Sequence, residues 1–185
     1  MSELVILVDQ HDRQIGIEEK LKAHREGKLH RAFSVFIFND RGEMLIQRRA
    51  LHKYHSPGLW TNACCSHPRP GESIEHAANR RLREEMGLTC KLQKVFHFIY
   101  RVEFDNGLIE HEFDYVFIGK YEGTGPDELI PDSEEVADYR WLDVETLRRE
   151  VKAFPEKYTV WFKMALEQVL QIAALKNFYR QTQPS

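Results

Sequence analysis

The sequence lacks the features of secreted and membrane-spanning proteins. It has three cysteines, an odd number with two of them adjacent, which do not form a disulfide framework. No apolar run approaches the roughly 18 residues that a membrane span needs. The apolar start, "MSELVILVDQ", is too short for a signal segment, and no basic region precedes it. We therefore expect a soluble protein of the cytoplasm, where thiols stay reduced, with no membrane partner.

The sequence also lacks an excess of charge of either sign, internal repeats and low-complexity segments. The net charge is −3, so no overall field attracts nucleic acid, and we expect no nucleic-acid partner. No linker divides the 185 residues, of which 42% are hydrophobic, so the chain is long enough for one well-buried core. We predict a single domain over residues 1–185, as a monomer or a weak homo-oligomer.

Short apolar and alternating runs predict several β-strands. The predicted strands lie at 4–9, 33–38 and 44–48, over the short segment "TNACCSH", over "LQKVFHFIYRVEF" and "LIEHEFDYVFIG", and over "DYRWLD". The polar stretch "EEKLKAHREGKLH" is expected to be irregular. The tripeptide "DNG" at 105–107 predicts a hairpin turn with its glycine in the left-handed conformation. This register pairs Tyr100 with Glu112, whereas a slip of one residue would turn them to opposite faces.

Two stretches have the spacing of amphipathic helices. The first is expected within about 66–88, where Ser73 is a predicted N-cap and Gly87 a predicted C-terminal glycine. Its core face would consist of Ile74, Ala77, Ala78 and Leu82. The second is expected over about 156–180, where apolar residues form a long stripe. Strands, hairpins and two helices in one domain predict an α/β or α+β fold, with a helix covering a sheet.

The motif that carries most chemistry is "WTNACCSHPRPGE" at 60–72. Taken alone, it is compatible with a structural zinc knuckle, a nucleophilic cysteine or a proton-transfer site. In an extended "ACCSH", Cys65 and His67 share one face and Cys64 points away, because side chains alternate along a strand. Cys64 is therefore predicted to pack in the core, as free cysteines commonly do.

Histidines and acids elsewhere could complete a metal site. Glu110 and Glu112 in "IEHEF" would share one face of a strand, although exposed, solvated acids would have the same pattern. His24 and His30 flank "REGKL" and could equally be two surface histidines. Three imidazoles, with His67 as the third, and two carboxylates would form an octahedral site for Zn²⁺, Mn²⁺ or Mg²⁺. Mixed nitrogen and oxygen ligands argue against a cysteine-rich structural zinc site.

The stretch "SHPRPGESIEHAANRRLREEMGL" matches the helix of the Nudix box, although its i,i+4 charge pairs would also suit a solvated, salt-bridged face. The matching positions are Glu72, Arg80, Leu82, Glu84, Glu85, Gly87 and Leu88. The sequence departs from the pattern at Ser66, where a glycine is expected, and at Arg81, where a glutamate is expected. This guanidinium removes a ligand for Mg²⁺ and supplies a bidentate phosphate donor. The stretch resembles a Nudix scaffold that binds a diphosphate without cutting it.

From about residue 4 to about residue 165, the chain resembles the type I isopentenyl-diphosphate isomerases, a divergent Nudix family. The resemblance rests on "KLKAHREGKLHRAFSVFIFN", "RRALHKYHSPGLWTNACCSHPRPGE", "RRLREEMGL", "YRVEFDNGLIEHEFDYVF" and "YTVWF". It implies a Nudix-like mixed β-sheet sandwiched between helices. It also implies an isomerase of isoprenoid biosynthesis, which interconverts isopentenyl and dimethylallyl diphosphate by protonation and deprotonation through a tertiary carbocation.

The resemblance assigns catalytic roles to three residues and a substrate-binding role to a fourth, Trp161. It implies that Cys65 and Glu112 lie on opposite sides of the alkene, where one donates and the other accepts a proton. It implies that Tyr100 lies beside this carboxyl and relays or orients its proton. Trp161 matches a tryptophan near the hydrocarbon end, where its π-face could stabilise the cation.

The resemblance also implies two cations and a set of basic residues that bind a small-molecule diphosphate substrate. The ligands of the first ion, which is Zn²⁺, Mn²⁺ or Mg²⁺, would be His24, His30, His67, Glu110 and Glu112. Glu85 would bind a second ion, Mg²⁺, together with the substrate diphosphate. The diphosphate-binding cations would be Lys20, Arg49, Lys53 and Arg81. The histidines that match no catalytic position, and are expected at the surface or in packing, are His52, His55, His76 and His97.

Three other interpretations compete with this one. A Nudix pyrophosphohydrolase acting on nucleotides is disfavoured by Arg81 and by the thiol, which hydrolysis does not need. A catalytically silent Nudix module that only binds a diphosphate is disfavoured by the joint presence of Cys65, Tyr100 and Glu112. A redox protein is disfavoured because adjacent cysteines form only strained disulfides and no Cys-x-x-Cys motif is present.

Overall fold

A computed structural model describes residues 2–123 and 129–180 of the chain, and these contain nine strands and four α-helices. The strands are β1 (Leu4–Val8), β2 (Gln14–Glu19), β3 (His30–Phe38), β4 (Glu43–Arg49), β5 (Trp60–Thr61), β6 (Cys64–Ser66), β7 (Leu92–Glu103), β8 (Ile109–Lys120) and β9 (Val136–Asp143). The helices are α1 (Lys20–Glu26), α2 (Ile74–Met86), α3 (Val144–Ala153) and α4 (Val160–Leu175). The strands form one mixed sheet.

The central strand of the sheet is β3, which pairs with four other strands. It runs parallel to β8 and antiparallel to β1, β4 and β6. Its sequence, "HRAFSVFIF", is an almost continuous apolar run, which is typical of a strand that is buried on both faces. The register sets His30 opposite Glu112 on β8 and Ser34 opposite Cys65 on β6. One strand therefore positions several of the residues that the sequence marks as functional.

Helices cover both faces of this sheet. Phe36 and Phe38 pack on one face with residues of α4, whereas Val35 and Ile37 pack on the other face with residues of α2. This split follows from the two-residue alternation of side chains along β3. The predicted mixed sheet sandwiched between helices is confirmed.

The helix predicted from the Nudix-like stretch is confirmed, with its start at residue 74 rather than near 66. The Ser73 side chain accepts a hydrogen bond from the N–H of His76 (3.2 Å), as expected of an N-cap. Gly87 ends α2 in the left-handed conformation, at φ +64°. The four predicted core residues of this helix are buried.

The predicted C-terminal helix over 156–180 is shorter than expected. A 3-10 turn occupies Pro155–Lys157, and α4 begins at Val160 and ends at Leu175. The apolar residues near both ends still pack on the core, as Tyr158 and Tyr179 do. The apolar stripe therefore predicted the buried residues correctly. It is longer than the helix because residues on either side of α4 also bury their aromatic side chains.

Two helices and one strand were not anticipated. The stretch expected to be irregular contains α1, in which Ala23 and His24 are buried. A seven-residue helix with so few buried positions has too little apolar periodicity to be recognised. The other unanticipated elements are β2 and α3, whose N-cap Asp143 accepts a hydrogen bond from the N–H of Thr146 (2.9 Å). None of the four described helices is long and apolar enough to cross a membrane.

The hairpin between β7 and β8 has the predicted turn and register. Gly107 has φ +79°, and the backbone N–H of Phe104 donates to the carbonyl of Leu108 (2.9 Å). Tyr100 is paired with Glu112, as predicted. The turn therefore determines which side chains of the two strands meet.

The first prediction concerns Gly87, where an added Cβ would lie 2.7 Å from the carbonyl oxygen and 3.0 Å from the nitrogen of Ile130. Gly87→Ala would introduce this clash with the backbone and would also place an alanine in the unfavourable left-handed conformation. We therefore expect it to lower the free energy of unfolding by about 2–3 kcal/mol. Gly107→Ala is the matched control, since its φ is also positive but its Cβ would meet nothing within 4 Å. We expect it to cost about 1 kcal/mol. Equal losses in urea denaturation would contradict the role of the Ile130 contact.

Candidate active site

A cleft of ≈ 920 Å³ opens beside β6, β7 and β8 and brings the sequence-predicted residues together. Those that line it are Lys20, Arg49, Lys53, Cys65, His67, Arg81, Glu85, Tyr100, Glu110, Glu112 and Trp161. The two remaining predicted ligands, His24 and His30, are fully buried and lie against His67. All of the predicted site residues therefore lie in or directly against one cleft.

The two adjacent cysteines point to opposite faces of β6, as predicted. Cys64 is buried in the core on the α2 side, whereas the Cys65 thiol faces the cleft. The Trp161 Nε1–H donates to the sulfur of Cys65 (3.0 Å), and that sulfur donates to Oδ1 of Asn62 (3.2 Å). Burial, reinforced by the charge of Asp114, raises the pKa of the Cys65 thiol. Cys65 is therefore held as a neutral thiol with a defined orientation.

The orientation of Cys65 depends on Asn62, which the sequence analysis did not identify. The Asn62 amide nitrogen donates to the carbonyls of Cys64 (2.8 Å) and Val35 (3.1 Å), so its oxygen must face the thiol. The same oxygen accepts a second hydrogen bond from the Thr61 hydroxyl (2.9 Å). The only signal in the sequence was an asparagine in the segment predicted to be extended, three residues before the cysteine. Asn62 anchors the segment that carries the thiol.

In the same cleft, both oxygens of Glu112 have partners. The Tyr100 hydroxyl donates to Oε2 (2.7 Å), and His67 Nε2 lies 2.9 Å from Oε1. His30 Nε2 lies 3.4 Å from the same oxygen. Burial alone would raise the pKa of Glu112, but the neighbouring imidazoles of His30 and His67 hold it well below its usual value. In this arrangement Glu112 is a carboxylate.

Two of the three histidines next to Glu112 are oriented as metal ligands commonly are. Nδ1 of His24 donates to the carbonyl of Lys20 (2.7 Å), and Nδ1 of His30 donates to that of Lys28 (2.9 Å). The Nε2 atoms of both rings are buried without a hydrogen-bond partner. A backbone carbonyl that holds Nδ1–H and leaves Nε2 free is a common arrangement around a bound metal.

The donor set also fits a divalent cation. One ligand atom from each of His24, His30, His67 and Glu112 lies within 4.8 Å of the others. Burial, with smaller contributions from His67 and His30, lowers the pKa of His24 to about 4, so its lone pair is free at neutral pH. Neutral imidazoles and a carboxylate suit a divalent ion. These four predicted ligands form one cluster.

The fifth predicted ligand, Glu110, lies in a second group that overlaps the first. One ligand atom from each of Glu110, His24 and His55 lies within 4.8 Å of the others. Burial and the charge of Glu112 raise the pKa of Glu110, and its Oε2 is buried without a hydrogen-bond partner. His55, which we expected at the surface or in packing, is buried in the cleft beside these residues.

The predicted diphosphate-binding cations line the cleft, and three of them already have acidic partners. These pairs are Lys20 with Glu3 (2.9 Å), Lys53 with Glu135, and Arg81 with Glu84 (2.8 Å), Glu85 (2.6 Å) and Glu135 (3.1 Å). Arg49 instead lies with its guanidinium 5.4 Å from the ring centroid of Trp161 and donates to the carbonyl of His55 (3.2 Å). An anionic ligand would have to compete with carboxylates for most of these cations.

The edge of α2 that faces the cleft carries a buried acid. Glu85 is 5% exposed and accepts a hydrogen bond from Gln47 (3.2 Å) in addition to that from Arg81. Burial raises the pKa of Glu85, against the opposing charge of Arg81. On the same helix, Arg80 binds Glu72 with two hydrogen bonds of 2.7 and 2.9 Å and thereby ties α2 to the preceding turn.

Comparisons with known proteins give a family and a fold. The model of the NUDIX domain matches residues 28–162. A protein of Burkholderia multivorans named isopentenyl-diphosphate Delta-isomerase is 52% identical over 90% of this chain and 93% of its own length. Isopentenyl-diphosphate Delta-isomerase 2 of Aromatoleum aromaticum is 49% identical over 96% of this chain and 92% of its own length.

Solved structures with low sequence identity share the fold. DR0079 of Deinococcus radiodurans has a TM-score of 0.66 at 22% identity and covers 82% of this chain and 90% of its own. A MutT protein of Methanosarcina mazei has a TM-score of 0.62 at 20% identity and covers 77% of this chain and 94% of its own. At such identities the likeness concerns the arrangement of sheet and helices alone.

The second prediction concerns the Glu72–Arg80 pair. Hydrogen bonds from Arg80 lower the pKa of Glu72 to about 2 from its usual value of 4.5, so the pair stabilises the fold above pH 4.5 and loses this effect as the pH falls towards 2. Glu72→Gln should lower the free energy of unfolding at pH 7 by about 1 kcal/mol, and this deficit should shrink at pH 3.5.

Urea denaturation at the two pH values, in wild type and in an Arg80→Met background, measures this effect. In the Arg80→Met background, the partner of Glu72 is already lost, so Glu72→Gln should cost little at either pH. A deficit of the same size at pH 7 and pH 3.5 would contradict the assignment.

Proposed function

The chain belongs to the isopentenyl-diphosphate Delta-isomerases of the Nudix superfamily, and we propose that it interconverts isopentenyl diphosphate and dimethylallyl diphosphate in isoprenoid biosynthesis. The observation that carries this proposal is the arrangement of the cleft. The thiol of Cys65 and the hydrogen-bonded pair of Glu112 and Tyr100 line the same cavity, with basic residues around them. A thiol and a carboxyl at one cavity suit a reaction that adds one proton to an alkene and removes another.

The reaction requires two proton transfers at carbon. A proton added to the terminal carbon of the alkene leaves a tertiary carbocation, and loss of a proton from the neighbouring carbon forms the more substituted alkene. We assign these transfers to Cys65 and Glu112, which we propose to lie on opposite sides of the bound alkene. Both side chains are held by hydrogen bonds from buried groups, which keeps them in reach of a bound substrate. The diphosphate stays intact throughout.

Tyr100 and Trp161 support this chemistry from the walls of the cleft. Burial, with the charges of Glu110 and Glu112, raises the pKa of Tyr100, so its hydroxyl remains a donor to the carboxylate. We propose that it relays or orients the proton at Glu112. Trp161 is 2% exposed, and its N–H is bound to Cys65, which fixes the plane of the ring. A fixed aromatic face can stabilise a cation and keep water from it.

We propose that two divalent cations take part. The residues that would hold the first ion, which is Zn²⁺, Mn²⁺ or Mg²⁺, are His24, His30, His67, Glu110 and Glu112. Glu85 would hold Mg²⁺ together with the substrate diphosphate. When bound, the ions would supply fixed positive charge beside Glu112 and against the diphosphate. The donor set supports this proposal, because buried imidazole nitrogens without partners are otherwise costly.

The diphosphate would be bound by the basic residues at the cleft, which we propose to be Lys20, Arg49, Lys53 and Arg81. Charge-assisted hydrogen bonds from arginine and lysine to phosphate oxygens are strong, so a diphosphate can displace carboxylates such as Glu135 from these cations. We further propose one isomerase domain over residues 1–185, acting in the cytoplasm as a monomer or weak homo-oligomer, with no nucleic-acid or membrane partner.

The alternatives lack support in the site. At the position of a Nudix glutamate, Arg81 removes a carboxylate that a hydrolase would use for metal ions, and its guanidinium binds Glu84. A module that only binds a diphosphate would not need the hydrogen bonds that orient the Cys65 thiol.

The third prediction tests the activity directly. Protein incubated in D₂O with isopentenyl diphosphate, Mg²⁺, and Zn²⁺ or Mn²⁺ should yield deuterated dimethylallyl diphosphate with its diphosphate intact, as followed by proton NMR. Deuterium on carbon requires addition of a solvent-derived deuteron to the alkene, and the shifted double bond requires loss of a proton from the neighbouring carbon. A chelator should stop the reaction. An unchanged alkene, with nucleoside diphosphates hydrolysed in a parallel sample, would contradict the isomerase proposal and favour a Nudix hydrolase.

The fourth prediction tests the catalytic pair. Cys65→Ala and Glu112→Gln should each lower kcat by at least about a thousandfold, because each removes a proton-transfer group. Cys64→Ala is the matched control for the thiol, and we expect near-normal turnover from it in folded protein. Diphosphate affinity, measured by calorimetry with Mg²⁺, should persist in Cys65→Ala. Turnover close to wild type in either catalytic variant would refute the two-group assignment.

A further inference from the structure

His55 is a buried histidine that the proposed mechanism does not use. It is 5% exposed, although it lies in the loop between β4 and β5. Its ring stacks on Phe104, with centroids 5.0 Å apart, and meets Trp161 edge-on, at 5.9 Å. Its Nδ1 is buried without a hydrogen-bond partner. A buried imidazole with an unpartnered nitrogen, at the wall of the cleft, is available as a ligand.

The nitrogen of His55 that faces the cleft lies beside the proposed metal centre. Its Nε2 is 3.4 Å from Oε1 of Glu110, and its ring is 5.9 Å from that of His24. Oε2 of Glu110 and Nε2 of His24 are both buried without a hydrogen-bond partner. One ligand atom from each of Glu110, His24 and His55 lies within 4.8 Å of the others, so the three side chains could share one ion.

His24 belongs to both groups of candidate ligands, but it cannot bind a separate ion in each group. Nδ1 of His24 is committed to the carbonyl of Lys20, so this ring has one free nitrogen and can bind one ion. Glu110 belongs to the group that contains His55, and not to the group of His30, His67 and Glu112. An ion that is bound by Glu110 would therefore also lie close to His55.

We propose that His55 is a further protein ligand of the single divalent ion at this centre, on the side of Glu110. This inference rests on the metal centre in the proposed function. Four imidazoles and two carboxylates would saturate an octahedral ion and leave no position for water or substrate. The ion would then hold Glu112 in place, and its nitrogen-rich set would favour transition metals over Mg²⁺.

The fifth prediction is tested with Co²⁺ as the probe, on full-length protein freed of metal by chelation. We expect wild type to bind one Co²⁺ per chain at this centre. His55→Phe keeps the aromatic packing but loses both nitrogens, so the Kd for Co²⁺ should rise at least about tenfold and the visible absorption bands should shift. The Kd for Mg²⁺ should change less, because Mg²⁺ prefers oxygen ligands. His55→Gln provides a second substitution if His55→Phe does not fold.

Control variants separate this inference from the metal centre itself. His76→Phe changes an exposed histidine on α2 and should leave Co²⁺ binding unchanged. His30→Gln removes a ligand of the proposed centre and should weaken binding strongly. If wild type binds no Co²⁺, the metal centre fails along with the inference.

Other outcomes overturn the role of His55 alone. Unchanged affinity and spectrum in His55→Phe, with His30→Gln impaired, would do so. Weaker binding without a spectral shift would make His55 a positioning residue for Glu110 rather than a ligand. Two Co²⁺ per chain, with one lost in His55→Phe, would overturn the single centre.

Discussion

The parallel pairing of β3 with β8 is the constraint on which the site depends. It sets His30 opposite Glu112, and the two-residue alternation along β8 keeps Glu110 on the same face as Glu112. Because β3 also pairs with β6, the same strand positions Cys65 in the cleft. A shift of one residue in this register would turn the acids to the other face of the sheet, away from the histidines. The candidate active site would then no longer form.

The site contains buried polar groups that have no hydrogen-bond partner within the protein. Nε2 of His24, Nε2 of His30 and Oε2 of Glu110 are buried without hydrogen bonds. Each such group destabilises the folded state by about 1–3 kcal/mol unless a ligand satisfies it. Apolar clusters on both faces of the sheet, packed against α2 and α4, offset this cost. A bound cation would remove much of it, so the site and the stability of the chain are linked.

Local patterns predicted the parts of the fold that depend on neighbours in sequence. The turn at 105–107 determined the pairing of Tyr100 with Glu112, and Ser73 and Gly87 marked the limits of α2. By contrast, α1 was mistaken for irregular chain, because its polar, seven-residue sequence has almost no apolar face. Its helical conformation depends on packing against the sheet, where His24 and Ala23 are buried. Tertiary contacts overrode a weak local preference there.

By itself the sequence determined which side chains of one strand share a face, because alternation is a property of the backbone. It thereby separated Cys64 from Cys65 and grouped Glu110 with Glu112. Only the tertiary structure decided what those faces meet. The hydrogen bond from Trp161 to Cys65 joins residues 96 positions apart, and His55 reaches Glu110 from a loop with no local signal. Such contacts depend on the order of strands in the sheet and on the path of loops, which no short window of sequence contains.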